Sequence, residues 1–393
     1  MMLGFLLARA GIDTIVLEKH ADFFRDFRGD TIHPSTMEIM HELGLLEAFL
    51  QVPHQEVQKL VAQYNGVDVQ VADFSRLRIA RPVLGLMPQW DFLNFLFEQA
   101  KKYRSFHLYR EATGFELIKN GGRVTGLKAQ TRDGALLIDA NMVVGTDGRS
   151  SDIRRLAGLT VIDTGAPIDV LWFRLSKKDS DPQQTFGKFD HGRMMVMIDR
   201  ATYWQCAYVI MKGDLEKIRS QGLETLRKEL ADTSGFLHDR VAELADWNDL
   251  KLLSVTIDHL HKWYADGVLC IGDAAHAMSP IGGVGINLAI QDAVAAANIL
   301  YPCLIKQRPV PVNTLALIQK RREFPARVIQ RMQVIMQAGI VARKNDPKKA
   351  AAMPLFLKLL KRFPFLTRFP AKFIGMGVRR EHIQTPDAGR MNN

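Results

Sequence analysis

The segment 272–287, GDAAHAMSPIGGVGIN, holds the residues best suited to chemistry. It follows the apolar run 268–271, which predicts a short buried strand, and precedes 288–300, whose period predicts a helix. Asp273 therefore lies where a strand ends, and glycines fill the loop before a helix begins. A carboxylate can accept hydrogen bonds from sugar hydroxyls, glycines let a ligand approach the backbone, and a helix N-terminus offers free N–H groups. The pattern suits a flat, anionic ligand with many hydroxyl groups.

Four other polar residues lie at the ends of predicted elements. Glu18 ends a buried strand, which is where a dinucleotide-binding βαβ unit places the acid that holds the adenosine ribose. Arg28 lies in a loop before a predicted helix that Ser35 or Thr36 can cap. Gln89 begins a predicted helix, and Asp147 lies in an Asp-Gly turn between a predicted strand and a predicted helix.

Together these motifs resemble those of the class A FAD-dependent aromatic monooxygenases, the family of para-hydroxybenzoate hydroxylase. In that family the Asp of the segment described first binds the ribityl chain of FAD. The Pro and the glycines after it wrap the isoalloxazine ring, and the Asn faces its pyrimidine edge. By position, the resemblance assigns these roles to Asp273, Pro280, Gly282, Gly285, Ile286 and Asn287.

The resemblance also gives three of these four polar residues a role at the cofactor. It implies that Arg28 contacts FAD near its phosphates, that Gln89 lies against the flavin and that Asp147 helps to hold FAD. Taken singly, a surface arginine, a polar residue binding its own helix and a common Asp-Gly turn are ordinary structural features. We favour the cofactor roles because these residues occur together with the segment 272–287.

The activity implied by the family is an oxygenation. NADH or NADPH reduces FAD, O₂ forms a flavin hydroperoxide, and one oxygen atom passes to an apolar, aromatic or phenolic small molecule. His33 and His276 lie in flavin-side motifs but are read as packed histidines, so the catalytic side chain stays unknown and no metal site is expected. Flavin-dependent reductases and halogenases share this scaffold. The halogenase motif W-x-W-x-I-P is absent, and its nearest counterpart is 204–208, WQCAY.

The sequence departs from the family at its N-terminus. A dinucleotide-binding unit opens with a strand and a G-x-G-x-x-G turn, whereas here a predicted helix over 1–10 leads directly into strand 14–18. Two explanations compete. Either the functional protein continues for about 30 further residues at most, the size of one βα unit, or the chain is a truncated, non-catalytic flavoprotein remnant. We favour the first, because the other motifs are intact.

The predicted fold is α/β. A Rossmann-like FAD-binding domain, its first βα unit truncated, is expected to interleave with a β-sheet substrate domain, and a basic helical region to follow. The FAD-binding domain comprises 1–56, 88–164 and 264–303; the substrate domain comprises 57–87 and 165–263; the helical region is 304–393. In the substrate domain, five side chains are expected to line an apolar pocket or, more simply, to fill the core: Met194, Met195, Met197, Trp204 and Tyr208.

The composition, with 47% hydrophobic and 24% charged residues, is that of an ordinary globular protein. Three cysteines without close spacing argue against a disulfide framework or a zinc site. No stretch is expected to be long and apolar enough to span a bilayer, and no secretory start is visible. We therefore expect a cytoplasmic protein.

The net charge of +10 belongs to the C-terminal region. From residue 304 onwards there are 19 Lys or Arg against 4 Asp or Glu. The apolar, basic segment 354–363 can lie on an anionic membrane surface, cap the pocket or pack on a second subunit. We favour packing, with peripheral membrane contact and a homodimer as alternatives. No nucleic-acid recognition module accompanies the charge, so the expected partner is a small-molecule substrate.

Overall fold

The computed structural model describes residues 1–24 and 31–389. Within them the chain forms twenty strands: β1 (Thr14–Glu18), β2 (Thr31–Ile32), β3 (Gln55–Val57), β4 (Lys59–Tyr64), β5 (Val67–Asp73), β6 (Leu84–Leu86), β7 (Phe106–Arg110), β8 (Thr113–Asn120), β9 (Arg123–Thr131), β10 (Gly134–Asp139), β11 (Val143–Gly145), β12 (Val161–Asp163), β13 (Ile168–Ser176), β14 (Phe186–Asp190), β15 (Arg193–Asp199), β16 (Tyr203–Met211), β17 (Lys251–Leu253), β18 (Asp258–Leu260), β19 (Tyr264–Ala265) and β20 (Val268–Cys270).

The same residues form twelve α-helices: α1 (Met2–Arg9), α2 (Pro34–Glu42), α3 (Leu46–Leu50), α4 (Gln89–Ala100), α5 (Asp152–Leu156), α6 (Leu215–Ser220), α7 (Leu223–Thr233), α8 (Gly285–Leu304), α9 (Val312–Lys344), α10 (Pro347–Ala351), α11 (Leu355–Arg362) and α12 (Arg368–Met376).

Parallel strands and buried helices form the Rossmann-like part of the molecule, as predicted. Strand β1 pairs in parallel with β7, and β11 pairs in parallel with β20. The apolar helix α1 packs on α8 and α4 and belongs to the largest hydrophobic core. Among the described strands, β1 and β11 each hydrogen-bond along one edge only, and residues of both strands line the same cavity.

A seven-stranded sheet forms the second part, in the order β17-β13-β16-β15-β14-β4-β5. The Asn65-Gly66 pair between two alternating runs predicts a hairpin, and in the structure this turn joins β4 to β5. Strand β4 also pairs in parallel with β14. This pairing joins a strand that precedes residues 88–164 and a strand that follows them in one sheet. One face of the sheet packs against α7 in a separate hydrophobic core, and the other face lines the cavity.

Two local predictions were wrong. The amphipathic pattern of residues 215–230 predicts one helix, but this segment is broken into α6 and α7, because Gly222 adopts a φ of 88° that ends the first helix. Helix α2 begins after His33 with Pro34 in its first turn and has no side-chain cap. The Thr36 hydroxyl, expected as a cap, donates instead to Asn287 Oδ1 at 2.8 Å.

The expectation that no segment is long and apolar enough to span a bilayer was wrong. The segment Ile281–Leu304, which includes it, is long and apolar enough to cross a membrane by length and composition. In the structure 67% of its apolar window is buried inside the protein. Its apolar character therefore serves the core between α1 and α9.

A buried ion network ties α8 to α9 and to the segment after α12. Asp292 on α8 accepts hydrogen bonds from Arg322 Nε at 2.8 Å and from the His276 ring at 2.6 Å. The Arg322 guanidinium also reaches Glu381 at 3.3 Å. Burial alone raises the pKa of the Asp292 carboxyl, but the charges and hydrogen bonds of His276 and Arg322 outweigh it and hold that pKa below its ordinary value.

We expect Asp292→Asn to destabilise the fold by about 3–5 kcal/mol, because it breaks a buried ion pair and leaves Arg322 only the longer contact with Glu381. The ion pair stabilises the wild-type fold above pH 3.8, and this contribution is lost as the pH falls through the lowered pKa. Urea unfolding of both proteins at several pH values measures the difference. Asp152→Asn, which removes an exposed pair with Arg155, is the control and should cost less than about 1 kcal/mol. Equal effects of the two substitutions would contradict a structural role for the network.

Candidate functional site

The cavity between the two parts of the molecule has a volume of about 2010 Å³. Its first wall is the segment 271–284 between β20 and α8, which we call the glycine turn, together with the start of α8. Its second wall is the open face of the seven-stranded sheet, and its third comes from α9 and α11. Ligand pockets usually measure about 300–1,000 Å³, so this cavity has room for more than one ligand.

The glycine turn passes so close to β2 that only glycine fits at residue 283. A Cβ atom there would lie 2.1 Å from Thr31 Oγ1, and the backbone has a φ of +61°. The Thr31 hydroxyl donates a hydrogen bond to the Gly283 carbonyl at 2.7 Å. Gly283 was not among the residues predicted from the sequence, although it lies between two that were, Gly282 and Gly285. Gly282, Gly283 and Gly285 all line the cavity.

Asn287 fastens the same region from the first turn of α8. Its Oδ1 accepts hydrogen bonds from the His33 main chain and the Thr36 hydroxyl, both at 2.8 Å, and its Nδ2 donates to the carbonyls of Thr31 and Gly283. The amide thus uses both donors and both lone pairs inside the protein. The expectation that it pairs with a pyrimidine edge does not fit this arrangement. The main-chain N–H of Asn287 lies in the first helical turn, where such groups have no partner within the helix.

Asp273 lies in a short 3₁₀ turn directly after β20 and lines the cavity, as do Pro280 and Ile286. The preceding residue, Gly272, has a φ of +60° and donates its N–H to Asp292 Oδ2 at 3.1 Å. The buried ion network therefore holds the turn that presents Asp273. Asp292 and Arg322 were missed from the sequence, because nothing in the spacing of two isolated charges on different helices predicts that they meet.

The other predicted site residues are distributed around the same cavity. Glu18 at the end of β1, Gln89 at the start of α4 and Asp147 after β11 all line it. Asp147 also accepts hydrogen bonds from Ser151 Oγ at 2.5 Å and from the Ile153 N–H at 3.0 Å, so it stabilises the start of α5. Arg28 lies outside the described residues.

Both histidines of the flavin-side motifs are buried. The His33 ring lies 2.7 Å from the Ile374 carbonyl through Nδ1, and burial lowers the pKa of this imidazole. His276 pairs with Asp292 and packs at a tilt on Trp263, with ring centroids 4.9 Å apart. Neither histidine is among the cavity-lining residues. Packing and positioning are the roles that these contacts support.

The sheet wall contains different side chains from those expected. Of the five residues proposed from the sequence, only Met194 lines the cavity. The other four point to the opposite face and pack in the core against α7: Met195, Met197, Trp204 and Tyr208. Side chains alternate along a strand, so the residues two positions apart on β15 share the cavity face. The alternation of 194, 196 and 198 was the signal that could have identified Val196 and Ile198.

Helix α9 brings one cation to the far end of the cavity. Among the described residues that line it from the seven-stranded sheet and the C-terminal helices, Arg343 is the only charged one. Its Nη1 donates to the Gly339 carbonyl at 2.8 Å, whereas its Nε is buried without a hydrogen-bond partner. Gly192, in the turn between β14 and β15, lets that turn approach the Arg343 carbonyl so closely that a Cβ would lie 2.8 Å from it.

The turn and the helix end fit the flavin part of FAD. Gly283 gives a close-packed backbone, Asp273 offers a carboxylate for sugar hydroxyls, and the first turn of α8 offers main-chain N–H groups to an electron-rich edge. Among residues 1–24 and 31–389, no group of three or more His, Cys, Asp or Glu side chains is placed to hold a metal ion.

Comparison with known proteins identifies the family. The model of the FAD binding domain matches residues 1–331. The chain belongs to the class A FAD-dependent aromatic monooxygenases. It is therefore an oxidoreductase that uses FAD as its cofactor.

Individual relatives agree with this assignment. The monooxygenase is 27% identical to a 6-methylpretetramide 4-monooxygenase of Streptomyces rimosus, over 93% of this chain and 89% of the relative. Its fold is similar to that of a p-nitrophenol 4-monooxygenase of Pseudomonas putida, with a TM-score of 0.76, 18% identity and coverage of 96% and 95% of the two chains. It is also similar to PqsL of Pseudomonas aeruginosa solved with 2-aminobenzoylacetate, with a TM-score of 0.72, 22% identity and coverage of 89% and 95%.

We expect Gly283→Ala to destabilise the monooxygenase and to weaken its binding of FAD. The added methyl overlaps Thr31 and forces the glycine turn away from β2, which costs about 1–3 kcal/mol beyond the strain of a positive φ. Urea unfolding and a flavin-fluorescence titration measure the two effects. Gly213→Ala is the control, because Gly213 has a similar φ of +79° and nothing within 4 Å of the new Cβ. If both variants lose the same stability, close packing at Gly283 is not the constraint.

Proposed function

We propose that this monooxygenase hydroxylates an apolar, aromatic or phenolic small molecule, with NADH or NADPH as the reductant and O₂ as the oxygen donor. The observation that carries the proposal is one cavity with two kinds of wall. The glycine turn suits the cofactor, and the opposite sheet face suits an apolar ligand. Two such walls around one cavity support the proposal that a flavin and an apolar substrate lie against each other.

The residues proposed to hold FAD are those of the resemblance that line the cavity. Asp273 accepts hydrogen bonds from the ribityl hydroxyls, Glu18 from the adenosine ribose, and Pro280 with Gly282 supports the ring. Main-chain N–H groups of Gly285, Ile286 and Asn287 face its pyrimidine edge. Gln89 and Asp147 complete the cofactor side, with Arg28 expected near the phosphates. When bound, FAD supplies the redox chemistry, accepting hydride from the reduced nicotinamide and activating O₂.

The sheet wall keeps the reacting region dry. Trp172, Val196, Ile198, Ala207 and Val209 present apolar side chains to the cavity from β13, β15 and β16. Water at this place promotes unproductive loss of the activated oxygen, so its exclusion favours transfer to the substrate. Among the described residues of this wall, no Asp, Glu, His or Lys side chain lines the cavity.

Arg343 is proposed to orient the substrate. Its partly buried guanidinium is the cation at the apolar end of the cavity, and its Nε has no partner there. The buried Nε is closed to a ligand, so the part of the guanidinium that lines the cavity is the part that would meet an oxygen of the substrate. A phenolate or another acidic oxygen is the group that a guanidinium binds best.

We also propose that the chain has three regions. Segments 57–87 and 165–263 form the substrate domain, 1–56, 88–164 and 264–303 form the FAD-binding domain, and 304–393 closes the cavity. The pairing of β4 with β14 supports the interleaved arrangement. We propose a cytoplasmic location, with a homodimer as an alternative assembly.

Asp273→Ala should weaken FAD binding about 10- to 100-fold, because it removes charge-assisted hydrogen bonds worth about 1.5–3 kcal/mol. Fluorescence titration with FAD measures the dissociation constant. Asp232→Ala, on the exposed face of α7, is the matched control and should bind FAD like the wild type. An unchanged dissociation constant for Asp273→Ala would remove this residue from the site.

Arg343→Met should raise the KM for phenols about 10- to 100-fold and change the KM for their O-methyl ethers little, because only the phenols offer an acidic oxygen. Substrate-stimulated oxidation of NADH or NADPH, measured with polycyclic phenols and their ethers, gives both values. Arg331→Met, an exposed position on α9, is the control. The same ratio of the two KM values in the wild type and in Arg343→Met would show that Arg343 does not contact the substrate oxygen. A panel that stimulates no oxidation in the wild type would count against the proposed reaction.

A further inference from the structure

Large apolar side chains are exposed together on one part of the surface. We call this part the C-terminal patch; it comprises α11, the 3₁₀ turn Pro364–Thr367 and α12. Its exposed apolar side chains have fractional exposures between 41% and 73%: Leu355, Phe356, Leu359, Phe363, Phe365 and Phe369. Scattered exposed apolar residues are normal, but a contiguous group marks an interaction site.

The patch is a face of well-packed helices. Leu357 and Leu360 on the inner side of α11 pack against Tyr64 and Val69 of β4 and β5. Ala371 on α12 packs in the neighbouring core. Because the inner sides are already buried, the outer apolar side chains are left for a partner outside the described residues.

The charge around these side chains has one sign. Residues 347–380 contain nine Lys or Arg and no Asp or Glu. Five of the basic residues are exposed within the patch itself: Lys358, Lys361, Arg362, Arg368 and Lys372. Arg362 and Arg368 lie over the rings of Phe363 and Phe369, at 5.4 and 4.8 Å from the centroids. A partner for this surface has to be apolar and negatively charged at once.

We propose that the C-terminal patch docks on an anionic lipid membrane. Leucine and phenylalanine side chains enter the boundary between headgroups and acyl chains, and lysine and arginine side chains meet the lipid phosphates. A second copy of the patch is a poorer partner, because it would bring five positive charges against five. The charge complementarity therefore selects the membrane over self-association.

The patch adjoins the cavity described above. Phe356 is 56% exposed and also lines the cavity, together with Pro354 and Leu357. Docking would thus bring the cavity wall to the bilayer surface. An apolar substrate dissolved in the lipid could then reach the sheet wall without crossing water. This substrate route rests on the proposed function, whereas docking itself does not.

Vesicle co-sedimentation of the full chain tests the docking. We expect binding to vesicles of phosphatidylcholine mixed with phosphatidylglycerol, little binding to phosphatidylcholine alone, and a decline as salt is raised. Lys358→Glu combined with Lys361→Glu should lower the partition coefficient at least about tenfold, since each basic residue near the surface contributes about 1 kcal/mol. Leu355→Ser combined with Phe369→Ser should lower it comparably.

Matched variants elsewhere on the surface serve as controls. Lys119→Glu with Lys251→Glu makes the same change of net charge, and Leu137→Ser removes an apolar side chain that is 63% exposed on β10. Both should bind vesicles like the wild type. Failure of the wild type to bind anionic vesicles, or equal losses in patch and control variants, would overturn the proposal. The proposal would also be overturned if light scattering showed self-association of the wild type and Leu355→Ser with Phe369→Ser abolished it. That result would assign the patch to contact with a second copy of the chain.

The substrate route needs a separate measurement. Oxidation of NADH or NADPH is compared for a phenol held in anionic vesicles and for a water-soluble phenol. Lys358→Glu with Lys361→Glu should slow only the reaction of the vesicle-held phenol. Equal rates with vesicle-held phenol in variant and wild type would refute the route. If the wild type binds vesicles but neither phenol stimulates its oxidation of NADH or NADPH, the proposed reaction is wrong and the docking proposal stands.

Discussion

The glycine turn between β20 and α8 is the constraint on which the site depends, because three elements hold it at once. β2 holds it through Thr31, and α8 holds it through Asp292, which accepts the Gly272 N–H. From α9, Gln330 donates to the Ala277 carbonyl and Gln333 donates to the carbonyls of Ser279 and Ile281, at 2.8–2.9 Å. The Thr31 bond is partly buried and the others are fully buried, where each unsatisfied group would cost about 1–3 kcal/mol. The backbone proposed to face the cofactor is therefore preorganised by the fold.

Much of this could be predicted from the sequence, because local signals determined it. The apolar run and the turn residues around Asp273 gave the strand, the glycine turn and the helix. The Asn65-Gly66 pair gave the hairpin. The parallel pairing of β1 with β7 and the alternation that buries Met195 depend on register and on distant neighbours, which no short window contains. The same is true of Gly283, whose importance comes from Thr31, some 250 residues earlier in the chain.

The charged residues that matter most were the hardest to predict. Asp292 and Arg322 occur in helices with ordinary sequence patterns, and only the packing of α8 on α9 brings them together. Arg343 is one of many basic residues near the C-terminus, and its position at the cavity follows from the length of α9. At about 1.5 Å per residue, its 33 residues span about 50 Å. One helix therefore contacts the glycine turn through Gln330 and Gln333 and lines the cavity at Arg343.

One face of the seven-stranded sheet packs against α7, and the other face lines the cavity. Met195 and Met197 belong to a core with α7, whereas Val196 and Ile198, which alternate with them on β15, border the cavity. Substitutions on the second set change the shape offered to a ligand and leave the first set's packing intact. Divergence in substrate choice can thus proceed along the same strands while the packing against α7 is kept, so one scaffold can be adapted to molecules of different outline at a few alternate positions.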